Sequence, residues 1–140
     1  MRRTVGIIET LRLLKEKAHH QRIDPRVYLW ANRAAKKWAE SLGKPNLTPR
    51  EMGQALLEEF NKFHEMEMDA DDAAVAYAAA AMSQGLDVVF VGESHTPSES
   101  ITHVTVEVKD GDKWYRFDPM YGKGPDDIVS VPTHVVRLPE

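Results

Sequence analysis

The chain of 140 residues contains no cysteine. That absence excludes a disulfide framework and thiolate zinc ligation. Positive charge is not in excess either: 18 Lys and Arg against 22 Asp and Glu leave a formal net charge of −4. A general attraction to nucleic acid or to an anionic membrane surface is therefore not expected. Arg33, Lys36 and Lys37 form a local basic run, which reads as a solvated helix face. No apolar stretch approaches the roughly 20 residues of a membrane span. The start Met-Arg-Arg-Thr-Val-Gly lacks the apolar core and small-residue cleavage site of a signal peptide, so a cytoplasmic location is the expectation. There is no internal repeat, low-complexity tract or linker. Residues 1–140 therefore read as a single domain, helical over 1–64, with a central helix and a sheet over 65–140. With 42% hydrophobic and 29% charged residues, the composition is that of a folded globular chain.

The order of elements follows from periodicity. From Thr4 to about His19, the residues Ile7, Leu11, Leu14 and Ala18 recur at helical spacing among Arg, Lys and Glu, which predicts an amphipathic helix. His19 and His20 close it and, being adjacent on a helix, point apart and make a poor chelate. Asp24-Pro25 is a helix start, an N-cap followed by Pro at the first helical position. Val27, Trp30, Ala31, Ala34, Ala35, Trp38 and Leu42 then run down one face to a stop at Gly43. The two tryptophans read as core rather than as a stacking platform. Thr48 and Glu51 form a capping box ahead of a third helix, whose buried stripe is Met52, Leu56, Phe60 and Phe63.

The segment that matters most begins at Asp69. Asp69 or Asp71 caps an Ala-rich run from Ala73 to Met82, too long and too Ala-rich for a strand, which predicts a helix buried on most sides. Its unpaired N–H groups and dipole would favour negative charge in front of it. Gln84-Gly85 stops it. Leu86 to Val91 reads as a strand buried on both faces, Gly92 to Ser100 as a loop, and Ile101 to Val108 as an alternating strand. In that strand Val104, Val106 and Val108 share one face, and His103, Thr105 and Glu107 the other. Asp110-Gly111 signals a hairpin returning through Trp114 to Asp118, with a further short strand at Val129 to Val131 or at Val135-Val136.

A two-residue turn at Asp110-Gly111 pairs Lys109 with Asp112 and places His103 directly opposite Asp118. Opposed side chains share a face a few ångströms apart, close enough for a carboxylate to fix an imidazole's tautomer. The pair is a candidate base and orienter; the plainer alternative is an exposed His beside an Asp on a solvated hairpin face. A mixed metal site from His64, His95 and His103 with Asp69 or Asp71 lacks chelate spacing, and calcium at the acidic run Glu65 to Asp72 lacks a loop glycine. Neither metal nor other cofactor is expected.

Taken in order, Asp69-Ala70-Asp71-Asp72 before an Ala-rich helix, Leu86-Asp87-Val88-Val89-Phe90-Val91, His103-Val104-Thr105-Val106-Glu107-Val108 and Trp114-Tyr115-Arg116-Phe117-Asp118-Pro119 resemble the core of transglutaminase-like domains. The resemblance covers somewhat over a third of the chain. Thr10-Leu11-Arg12-Leu13-Leu14 and Asp24-Pro25-Arg26-Val27 also resemble small stand-alone members among phage and prophage genes. The resemblance implies a papain-like α+β fold: amino-terminal helices, then a buried central helix packed on an antiparallel sheet. It implies a Cys-His-Asp triad acting on amide bonds of peptides or Gln side chains, with His103 as general base and Asp118 as its orienter. Position 70 would hold the nucleophile, where this chain has Ala70, so the thiol step cannot run as written. Members of that family often carry a longer loop ahead of the nucleophile with aromatic or amide groups near the oxyanion site, which this chain lacks; its nearest polar candidate is His64, which reads more plainly as a surface histidine at a helix end, and the donors otherwise are the amide of Ala70 and its neighbours. The expected partner is a peptide or protein substrate. Other readings are a pseudoenzyme that uses the cleft to bind a peptide or protein, and a phage structural or assembly protein.

Overall fold

The computed structural model describes residues 2–62, 69–94, 103–120, 122–126 and 134–138. Among the described residues four helices, α1 (Arg2–Arg22), α2 (Pro25–Leu42), α3 (Pro49–Lys62) and α4 (Ala70–Ser83), precede four strands, β1 (Val88–Ser94), β2 (His103–Asp110), β3 (Lys113–Phe117) and β4 (His134–Leu138). The strands form one antiparallel sheet in the order β3-β2-β1-β4. The fold is α+β, as expected from the sequence.

The second, third and fourth helices start where their capping chemistry dictates. Asp24 accepts the N–H of Arg26 ahead of Pro25, and α2 ends on Gly43 in the left-handed region that glycine adopts without strain. The capping box is closed in both directions, Glu51 N–H to Thr48 Oγ1 at 3.2 Å and Thr48 N–H to Glu51 Oε1 at 2.9 Å. Asp69, rather than Asp71, caps α4, accepting the N–H of Asp72 at 2.8 Å. The first helix runs on past His19 and His20 to Arg22. Phe63 lies outside the described residues.

The central helix is buried as its composition requires. Ala73, Ala74, Val75 and Tyr77 to Ala81 are all shut off from solvent. One side of α4 packs on β1 and β2 and the others meet α1, α2 and α3, while α1 also covers β1 and β4, and α3 covers β2 and β3. Helices thus share one face of the sheet, with α4 central. Its alanines are what lets so many elements approach one helix, because a bulky side chain on each face would hold them apart. The core joins Ile7, Leu11, Leu14 and Ala18 of α1 to Leu56, Leu57, Tyr77, Phe90, Val104, Val106, Val108 and Phe117. Leu42, placed on the buried face of α2 by its spacing, is instead exposed, and only the alanines of that face are fully covered. A helix's end often leaves the layer its middle packs against.

The closest approach is at Gly53. A Cβ there would meet Phe117 Cε2 at 2.7 Å, and the Gly53 carbonyl accepts the buried Tyr77 hydroxyl at 2.7 Å. Glycine in α3 therefore sets the distance between α3, α4 and the end of β3.

The strands differ from expectation in their bounds and in one register. β1 extends to Ser94, so Gly92 and Glu93 belong to the sheet, not to a loop. The strand on its other side, β4, takes the Val135-Val136 option; Val129 to Val131 lies outside the described residues. In the β2–β3 hairpin Asp110 pairs with Lys113 and Lys109 with Trp114, so the turn is Gly111-Asp112 and the pairing is slipped by two from that expected. Gly111 has φ +64°, and glycine at the first central position suits a type II′ turn, whereas turning at Asp110-Gly111 would require a positive φ at Asp110. A slip of two preserves which face each residue takes.

Candidate active site

The non-helical face of the sheet carries Val89, Val91 and Glu93 on β1, His103, Thr105 and Glu107 on β2, and Arg116 on β3, with Asp118 one residue past the strand. It is nonetheless buried: Val91, Thr105 and Asp118 are wholly shut off and Glu93 and Glu107 nearly so. Charged groups on such a face must be paired, and they are. Arg137 reaches from β4 across β1 to Glu107, its Nε at 2.9 Å from Oε1. Arg116 reaches from β3 across β2, donating from Nε to Thr105 Oγ1 at 2.8 Å and from Nη2 to Glu93 Oε1.

The third pair is His103 and Asp118. His103 Nε2 lies 2.7 Å from Asp118 Oδ2, with the histidine 9% exposed and the aspartate fully buried. The slipped register makes them diagonal rather than direct neighbours, still on one face and within reach. The plain alternative of a solvated hairpin pair is excluded by their burial. Asp118 is held by the chain that follows it: its Oδ1 accepts the N–H of Met120 at 3.0 Å, and its carbonyl accepts the N–H of Gly122 at 2.9 Å. A carboxylate fixed on both oxygens can orient an imidazole. The hydrogen bond to Asp118 raises the pKa of His103 above its ordinary 6.5, against burial, and the charges of Asp118 and Glu93 add to the rise while Arg116 opposes it. In the neutral ring, Nε2–H donates to Asp118 and Nδ1 is the basic nitrogen.

Ala70 is the first residue of α4 and is half-buried. Asp69 closes one orphan donor, and the N–H groups of Ala70 and Asp71 point out of the helix end. Burial first, then the charges of Asp69 and Asp72, raise the pKa of Asp71, while the positive charges of Lys17 and then His103 act in the opposite direction. The imidazole is therefore within electrostatic reach of the residue beside Ala70, and α4 packs directly on β2.

His64 and His95 lie outside the described residues. Among the described residues no group of three or more His, Cys, Asp or Glu is placed to hold a metal ion, and no helix is long and apolar enough to cross a membrane. The sequence pattern does not single out Glu93 and Arg116. Glu93 falls in the stretch that reads as a loop, and the one clue is parity, since Arg116 and Asp118 are two apart and share a face. The chain matches no protein-family model, no curated protein and no solved structure.

Proposed function

We propose that the chain is a transglutaminase-like cysteine-hydrolase or transamidase scaffold whose nucleophile position is occupied by Ala70. The observation that carries the reading is the buried His103–Asp118 pair, 2.7 Å apart, on a sheet that packs against the helix beginning at Ala70. With a thiol at that position, His103 Nδ1 would take the thiol proton, and the thiolate would attack an amide carbonyl carbon. The resulting oxyanion would face the N–H groups at the start of α4. Breaking the C–N bond transfers the proton from the imidazolium to the departing amine. Water or another amine then releases the acyl group, which is the fork between hydrolysis and transamidation. Asp118 keeps Nε2 protonated, so that Nδ1 is the nitrogen that takes and returns the proton.

The test is Ala70→Cys, followed by the rate of alkylation with iodoacetamide as a function of pH. A poised site gives a thiol that reacts rapidly well below the ordinary cysteine pKa of about 8.5. A thiol of ordinary pH dependence would sink the reading. Alanine at position 70 favours a second reading, a pseudoenzyme that holds a peptide or partner protein in the same cleft. There the Ala70→Cys thiol stays sluggish, while His103→Ala weakens peptide binding by the parent chain.

A further inference from the structure

Beside the imidazole stands a second carboxylate. Glu93 is the direct cross-strand partner of His103 and shares its face, where opposed Cβ atoms are about 4.5–5.5 Å apart. It is 1% exposed, so its charge is not screened by solvent. Two carboxylates flanking one imidazole would compete for its N–H groups, and both would favour the imidazolium. A general base must instead be neutral to accept a proton.

Arg116 settles that competition. Its guanidinium is braced on Thr105, which lies one row along the face from Glu93, and it draws the Glu93 carboxylate into a charge-assisted hydrogen bond. The arginine side chain is itself 13% exposed, so the arm is built into the sheet. Among the described residues, the charged groups that act on the ring are Asp118 beyond β3, Glu93 on β1 and Arg116 on β3, and Asp71 on α4 feels the ring in turn.

We propose that Arg116 is a positioning residue for His103: by holding Glu93 it leaves Asp118 to orient the imidazole and limits the negative charge the ring feels. A merely structural ion pair would stabilise the face and leave the ring's protonation unaltered. The use of this device rests on the reading of His103 as a base, but its effect on the ring does not.

The experiment is an NMR titration of the His103 ring, assigned by its loss in His103→Gln, in the parent chain, Glu93→Gln, Arg116→Gln and the double variant. Glu93→Gln leaves the arginine charge uncompensated, so the midpoint moves to lower pH. Arg116→Gln releases the glutamate towards the ring, so it moves to higher pH, and the double variant returns towards the parent. Should Arg116→Gln fail to fold, Arg116→Lys, which keeps the charge but loses the forked donor set that spans Thr105 and Glu93, takes its place and should also raise the midpoint. A midpoint unmoved or lowered by the Arg116 variant, in a chain with the parent's circular dichroism, would overturn the proposal. Failure of the base reading is separable: an inert Ala70→Cys thiol, with the titration still raised by the Arg116 variant, removes the nucleophile chemistry and leaves the positioning role standing.

Discussion

Replacing Gly53 by alanine sets a favourable local preference against an unfavourable contact. In a helix interior alanine is preferred to glycine by about 1 kcal/mol, and Gly53 lies within α3. The new Cβ, however, would sit 2.7 Å and 2.8 Å from two Phe117 ring carbons and 3.2 Å from the Tyr77 hydroxyl. Carbon atoms settle about 3.5–4.0 Å apart, so the ring must retreat by roughly 1 Å. Neither neighbour can yield cheaply. Phe117 is fully buried, its ring centroid is 5.9 Å from that of Tyr77, and Tyr77 is bonded to the Gly53 carbonyl. Overpacking of a pinned core costs about 2–3 kcal/mol, which outweighs the helix preference and leaves a net loss of about 1–2 kcal/mol. Urea unfolding followed by circular dichroism should show a lower midpoint with an unchanged slope, and a melting temperature lower by about 3–8 °C. Because Phe117 precedes Asp118, the displaced ring should also loosen the carboxylate on His103 and move the imidazole titration to lower pH. A midpoint equal to or above the parent's would refute the reasoning, since helix propensity would then have won over packing.

Two further outcomes follow from the buried pair. Asp118→Asn removes the largest cause of the raised His103 pKa, so the ring should titrate at lower pH. It should also destabilise the fold by about 1–3 kcal/mol, less than full loss of a buried partner because the amide oxygen still accepts; denaturant unfolding at pH 6 reads this. Since His103 binds its proton more tightly folded than unfolded, the stability it contributes is full below the ordinary value near 6.5 and is lost as pH rises through the higher folded value. The gap in unfolding free energy between the parent and His103→Gln should therefore narrow on going from pH 5.5 to pH 9; a gap that widens would contradict the assigned direction.

The helices were legible because their signals are local. Asp24-Pro25, the Thr48–Glu51 box and Asp69 each act within one turn, and each stands where its chemistry requires. The sheet was legible in its parity but not in its edges. Gly92 and Glu93 read as a loop because glycine and a charge normally break a strand. Long-range neighbours such as Arg116 make Glu93 affordable there, and a partner on another strand leaves no mark near residue 93 in the sequence. The crossed Arg137–Glu107 pair is hidden for the same reason, its members being 30 residues apart. The Leu42 error has a different origin: spacing assigns a face to the whole of a helix, whereas burial depends on whether another element still lies over its last turn.

The site survived an error in the hairpin because of how a strand divides its residues. A slip of one would have put His103 and Asp118 on opposite faces; the observed slip of two changed a direct pair into a diagonal one. The diagonal reach is shorter in effect because Asp118 is no longer bound to the ladder. It stands one residue beyond β3, where the N–H groups of Met120 and Gly122 close a turn upon it, and that turn aims the carboxylate back along the face at His103. The precision of the pair thus belongs to the contacts that Met120 and Gly122 make after the strand, rather than to the hairpin turn that first suggested it. Lengthening the Gly111-Asp112 turn by two residues should on this account leave the His103 titration nearly in place, whereas an insertion between Asp118 and Gly122 should move it towards that of Asp118→Asn.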